Sequence, residues 1–155
     1  MANTTFSGPV RSKDGFQSII ENTTTGGVTA TGYGVMSQSK EVTFAADGTE
    51  TVIGTLPANS QIVEIYVDVS TVFNAGTTNT LDLGDGTTAD QYADALNVGT
   101  AGRKRATSDT SQVGNLVDIG TSDVALTATY NQTGTAASAG TAQVTVLYVP
   151  NNNLS

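Results

Sequence analysis

Fourteen acidic side chains hold most of the potential chemistry in this 155-residue chain, and four of them stand close together in the run DLGDGTTADQYAD: Asp82, Asp85, Asp90 and Asp94. Carboxylates converging on one point can bind Ca²⁺. Their spacing departs from the EF-hand loop, which needs acidic or amide groups at positions 1, 3 and 5 and a Glu at 12. Asp85-Gly86 therefore reads as a turn, Asp90 as a residue that helps to start a helix, and the others as solvated; no metal is expected. Paired carboxylates could also do acid–base work, as in glycosidases, but this many acids always yield some pair. A sugar-cleaving site would offer aromatic platforms, whereas the chain has no Trp, and its five Tyr and four Phe fall mostly at inward strand positions. There is no His, which excludes a Ser-His-Asp triad and a His metal site, and no Cys, which excludes thiol nucleophiles, zinc thiolates and disulfides. No Gly-rich phosphate loop precedes a helix. The expectation is no catalytic residue, no cofactor and no enzyme activity.

The cations are the other candidates. Net charge is −8 and the six basic residues are clustered. Arg103, Lys104 and Arg105 form one group, read as a polar loop over Gly99–Gly114. Arg11 and Lys13 form a second near the N-terminus, and Lys40 stands alone. In so acidic a protein, localised positive charge could steer one surface toward a negative partner; the bland alternative for Arg103–Arg105 is a solvated loop. The overall sign disfavours nucleic acid as a partner. No run approaches the length of a membrane span, and the opening MANTTFSGPVRSKDGF lacks the basic-then-apolar layout of a signal peptide, so neither membrane nor secretion is expected. Absence of Cys fits assembly in a cytoplasm. The Asn-x-Thr matches at Asn3, Asn22 and Asn131 are what chance gives in so Thr-rich a chain.

Strands must position these groups. Hydrophobic residues make up 37% and charged residues 13% of the chain, and Thr, Ser, Asn, Ala and Gly fill the remainder, a composition for strands and corners. In Thr55–Gly86 the odd positions Val63, Ile65, Val67, Val69 and Phe73 alternate with Ile62, Glu64, Tyr66, Asp68 and Ser70, the pattern of a half-buried strand at a sandwich wall. Further strands are expected at Tyr33–Gln38, Glu41–Ala46, Glu50–Leu56, Asn79–Leu83, Asn115–Ile119, Asp123–Tyr130 and Thr141–Val149. Asp47-Gly48 should close a two-residue hairpin. Thr87–Leu96 should be a helix, with Thr87 as N-cap and Tyr92 and Leu96 on one buried face. Residues 1–31 read as an extended arm with a short strand near Gly15–Ile20. The predicted architecture is all-β: a single β-sandwich or jelly roll of about eight strands over 32–155, with one short helix and an extended N-terminal arm at 1–31.

The block TLPANSQIVEIYVDVSTVFNAGTTNTLDLGDGTTADQYAD, the closing AGTAQVTVLYV and the opening ANTTFSGPVRSKDGF resemble small virion structural proteins of tailed, particularly marine, bacteriophages. The resemblance covers mainly residues 55–105 and 139–149. It implies a non-enzymatic capsid decoration or cement protein, made in the host cytoplasm and carried on the capsid exterior. Its partner would be the major capsid protein, and it would be a homo-oligomer, a trimer by preference. An adhesive, carbohydrate-binding domain of a head or tail fibre is the alternative. The arm would make the capsid contact through Phe6, Pro9, Arg11, Lys13 and Phe16, with the basic loop Arg103, Lys104 and Arg105 as the second contact.

Overall fold

The computed structural model describes residues 17–21 and 28–150. Two strands, β1 (Gln17–Glu21) and β2 (Val28–Tyr33), pair antiparallel as a separate two-stranded sheet. Eight more follow: β3 (Met36–Thr43), β4 (Glu50–Leu56), β5 (Gln61–Thr71), β6 (Thr78–Gly84), β7 (Ala93–Asn97), β8 (Gly102–Arg105), β9 (Val124–Thr133) and β10 (Thr141–Val149). They build two four-stranded antiparallel sheets, ordered β3-β10-β5-β8 and β4-β9-β6-β7.

Period-two alternation drives the packing. From β10, Ala142, Val144, Val146 and Tyr148 point inward. They meet Ile65, Val67 and Val69 of β5, Leu81 and Leu83 of β6, and Leu126, Ala128 and Tyr130 of β9. The Phe73 and Tyr130 rings pack at a tilt with centroids 4.5 Å apart. Apolar area withdrawn from water by these two facing layers is what holds the sheets together.

Five expectations need correction, the first that Asn115–Ile119 is a strand: the segment follows a 3₁₀ turn at Val113–Asn115 and touches β5 only through one bridge, Gln61 to Asp118. Val63 is not on the inward face: it is 48% exposed while Ile62 is buried. A bulge sets this phase, since Leu147 pairs with Glu64 and Tyr148 with Ile62, leaving Val63 as the unpaired extra residue. Asp47-Gly48 does not close a hairpin. The strands before and after it enter different sheets, each finding a long partner elsewhere, and the turn is a corner that follows a 3₁₀ turn at Phe44–Ala46. Tyr33–Gln38 and Glu41–Ala46 are not two strands but merge largely into β3.

The last correction concerns Thr87–Leu96. Helical content among the described residues is three 3₁₀ turns, Phe44–Ala46, Ala106–Ser108 and Val113–Asn115, and the predicted helix is a turn followed by β7. The cap is Asp85, whose Oδ1 accepts from the amides of Thr87 and Thr88 at 2.8 and 2.7 Å. These bonds hold a tight turn that lies over Gly84, where a Cβ would run into the carbonyl oxygens of Thr88 and Ala89. Tyr92 and Leu96 are both buried, as a helix would have made them, but they are so from an extended chain paired to β6. Ala95 takes a left-handed φ of 51° at a bulge there, with its amide held by Asp82 Oδ1 at 2.8 Å.

Candidate interaction surface

Registers across β3-β10-β5-β8 bring the conspicuous polar residues onto the outer face of one sheet. Glu41, Gln143, Asp68 and Arg103 form one row across it, and Ser39, Thr145, Tyr66 and Arg105 the next. Arg103, Lys104 and Arg105 therefore do not lie on a loop, contrary to expectation: they form the edge strand β8. The cause is register, because Tyr66 to Val69 of β5 need a partner and 102–105 supplies it.

That placement pairs both arginines with carboxylates of β5. Arg103 forks onto Asp68, Nε to Oδ1 and Nη2 to Oδ2, both at 2.8 Å, with its guanidinium carbon 4.1 Å from the centre of the Tyr66 ring. The hydrogen bonds from Arg103 hold the Asp68 carboxyl below its ordinary value. Arg105 Nη1 donates to Glu64 Oε2 at 3.1 Å, and Thr107 Oγ1 donates to the same oxygen. Lys104 Nζ donates to Thr100 Oγ1 at 2.8 Å. Lys40 reaches sideways and donates to the Val52 carbonyl, while Gln38 Nε2 donates to the Thr55 carbonyl at 2.7 Å. Together these side chains of edge strand β3 cap the neighbouring edge strand β4, a guard against pairing with foreign strands. A Cβ at Gly54 would displace the Gln38 carboxamide from its place at the seam.

At the end of the same face where β3 begins and β10 ends, the surface turns apolar. Val35, Val63 and Val117 are 57, 48 and 50% exposed, with Leu147 and Val149 half-buried. Val63 is the bulge residue opposite Leu147 and Tyr148, and the Val117 carbonyl accepts from the Ile62 amide. Val35 precedes Met36, the register partner of Tyr148. The alternating pattern concealed this patch, since it assigned Val63 to the core.

The acidic group is dispersed by its bonding. Asp82 accepts from Ala95 N and from Asn131 Nδ2 at 2.7 Å; burial raises its pKa, with Asp94 and Asp90 adding to the rise. Asp109, which no sequence motif singles out, accepts from the Asp94 amide at 2.8 Å and from the Ser111 amide, and these bonds lower its pKa. No group of three or more metal-ligating side chains occurs among the described residues. A cleft of about 340 Å³ at the start of β6, lined by Thr77, Thr78, Asn79, Thr80, Asn97 and Gly99, has neither charge nor aromatic ring. Phe6, Pro9, Arg11, Lys13 and Phe16 lie outside the described residues.

The geometry defines a two-sheet, eight-stranded antiparallel sandwich. The same fold occurs in a chain of the cyanophage Pam1 capsid asymmetric unit, at 19% identity and a TM-score of 0.61, covering 84% of this chain and 97% of that one. It occurs in the capsid of Ralstonia phage GP4, at 22% identity and a TM-score of 0.54, covering 77% and 86%. The Helicobacter pylori bacteriophage KHP30 capsid contains it too, at 15% identity and a TM-score of 0.54, covering 88% and 95%. At these identities the similarity is one of fold. No protein-family model and no curated protein sequence matches the chain.

Proposed function

We propose that this chain is a non-enzymatic structural protein of a bacteriophage particle, a decoration or cement protein that binds the major capsid protein on the head exterior. The observation that carries the reading is the fold match with chains in three phage capsids, over 77 to 88% of this chain and 86 to 97% of theirs. We read the interleaved strand order as a jelly roll, in which the first strand of the sandwich pairs with the last and the second with the next to last. The division into an arm at 1–31 and a sandwich at 32–155 belongs to the same reading.

Electrostatics support the arm as the capsid contact. Among the described residues Arg103 and Arg105 are paired with Asp68 and Glu64, while Lys40 and Lys104 donate to neutral oxygens and keep their charge. Arg11 and Lys13 would supply attraction to an acidic partner from the arm, with Phe6, Pro9 and Phe16 supplying apolar contact along an added strand. The fibre alternative expects an exposed aromatic cluster. Among the described residues Phe73, Tyr92, Tyr130 and Tyr148 are buried instead, and Tyr66 lies under Arg103.

Quantitative mass spectrometry of purified particles tests the assignment: hundreds of copies per virion are expected, and a dozen or fewer would place the chain on a tail or fibre. Charge reversal of Arg11 and Lys13 in the full chain should abolish binding to undecorated heads without changing the melting temperature. Unchanged occupancy would move the contact elsewhere on the sandwich.

A further inference from the structure

Two stacked sheets leave a sandwich open along its sides, and the two sides here are closed differently. Between edge strands β3 and β4, Gln38 and Lys40 donate to the Thr55 and Val52 carbonyls. On the β7–β8 side, residues 106–123 leave β8 in one sheet and enter β9 in the other, and their first turn, Ala106–Ser108, touches both β5 and β7. Little apolar surface holds this crossing. Ala106 is the only residue of the segment that is fully buried, Leu116 and Ile119 pack partly against the core, and Val113 and Val117 are exposed. A segment with so few buried apolar contacts opens more readily than the sheets beside it.

Polar bonds fasten it instead, and three of them end on carboxylates. Asp109 Oδ2 accepts from the Asp94 amide at 2.8 Å, which ties the segment to β7. Thr107 Oγ1 donates to Glu64 Oε2 at 2.9 Å, which ties it to β5. Asp123 Oδ1 accepts from the Ala58 amide at 2.8 Å, which ties its far end to the turn before β5. Arg105 of β8 also faces Glu64, Asp94 of β7 stands beside Asp109, and Asp118 lies within the segment. Other ties need no ionised group. Asn115 Nδ2 donates to the Gln91 carbonyl, Ile119 N to the Ser60 carbonyl, and the Ile62 and Asn59 amides to the Val117 and Gly120 carbonyls.

We propose that residues 106–123 form an acid-released strap: with its carboxylates ionised it closes the β7–β8 side of the sandwich, and on their protonation it lifts as one unit while both four-stranded sheets stay folded. Asp109 is the catch. Its carboxyl is held below the ordinary value, by the Asp94 amide first and the Ser111 amide next. Its contribution is therefore complete above the unfolded carboxylate value and is lost as pH falls through the folded one. An ionised acceptor makes a hydrogen bond roughly twice as strong as a neutral one, and the protonated acid gives that up. The closure between β3 and β4 uses an amide and an ammonium, so acid leaves it in place. Lifting frees the Asp94 amide at the edge of β7 and bares the part of the core that Leu116 and Ile119 cover.

Hydrogen exchange of the full chain tests this, read by NMR at single amides and corrected for the intrinsic rate at each pH. The Ile119, Ile62 and Asn59 amides are the reporters, because each bonds to a backbone carbonyl and none to a carboxylate. From about pH 6 to about pH 2.5 they should lose protection together with the Asp94 amide, while β9 and β10 keep theirs. At about pH 6, Asp109→Ala should speed exchange at the same reporters by about tenfold or more, with the melting temperature of the sandwich retained. Loss of protection at Asp94 and Ser111 alone would reduce the strap to two isolated bonds and overturn the proposal. Loss at β9 and β10 at the same pH would make the event global acid unfolding and overturn it too, as would reporters that neither acid nor Asp109→Ala moves.

Discussion

Ile65 and Val63 lie two residues apart on one strand, and their fates differ completely. Ile65 is fully buried between the sheets, while Val63 is displaced outward by the bulge opposite Leu147 and Tyr148. Ile65→Ala should cost about 2–5 kcal/mol through lost contacts and an unfilled cavity, whereas Val63→Ala should stay within about 0.5 kcal/mol; denaturant titration of the two reads the difference directly. The carboxylates divide in a similar way by environment. Asp68 and Asp109 have lowered pKa values, so what they contribute is present above the unfolded carboxylate value and lost as pH falls through their folded values. Asp82 has a raised pKa, so its charged form is penalised in the fold and the penalty is relieved as pH falls through its folded value toward about 4. Asp82→Asn should therefore leave the denaturation midpoint at neutral pH unchanged or higher, and flatten the pH profile just above the carboxylate range. Asp68→Asn should lower the midpoint slightly, more at low salt than at high, because the pair is exposed and screened. A fall for Asp82→Asn matching that of Asp68→Asn would contradict the assigned environments.

At the scale of elements, the turn at Asp85–Gln91 is where local signals and tertiary demand part. The sequence there offers a helical cap and helical spacing, and the structure uses the same residues to lead into a strand. Edge pairing explains the outcome: β6 pairs β9 on one side, and its other side is completed by β7. A ten-residue helix cannot offset the loss of that ladder, since short helices draw little stability from propensity alone. Gly84→Ala should destabilise by about 1–3 kcal/mol, because the Cβ meets the Thr88 and Ala89 carbonyls. Far-UV circular dichroism should show β structure without a helical band. What was legible from the sequence was whatever depends on side-chain alternation: the inward Leu81 and Leu83, the inward Leu126, Ala128 and Tyr130, the strand at Glu50–Leu56 and the sandwich itself. What was hidden depends on which strand sits beside which. The bulge at Val63, the cross-sheet corner at Asp47-Gly48 and the strand that consumes Arg103 and Arg105 are all set by partners distant in sequence. No local pattern encodes them. The apolar end of the outer face was missed for the same reason, since it comes into being only once the bulge turns Val63 outward.

For the molecule as a whole, the central position of β10 governs how the fold can be reached. Thr141–Val149 lies between β3 and β5, paired to both along nearly its full length. Ribosomal synthesis delivers this strand after every other part of the sandwich. Until Val149 has emerged, β3 and β5 have no partner on those sides, and the first sheet does not exist. Such non-local closure is slow, on the order of milliseconds to seconds for all-β domains. Chains stopped before Thr141 should be recovered as aggregates or proteolytic fragments, whereas chains ending just after Pro150 should be soluble and melt cooperatively; limited proteolysis of the two distinguishes them. A soluble, protease-resistant product lacking β10 would refute this order of events. The last strand of the sandwich thus acts as an inspection step: a copy terminated before it has no finished sheet to offer.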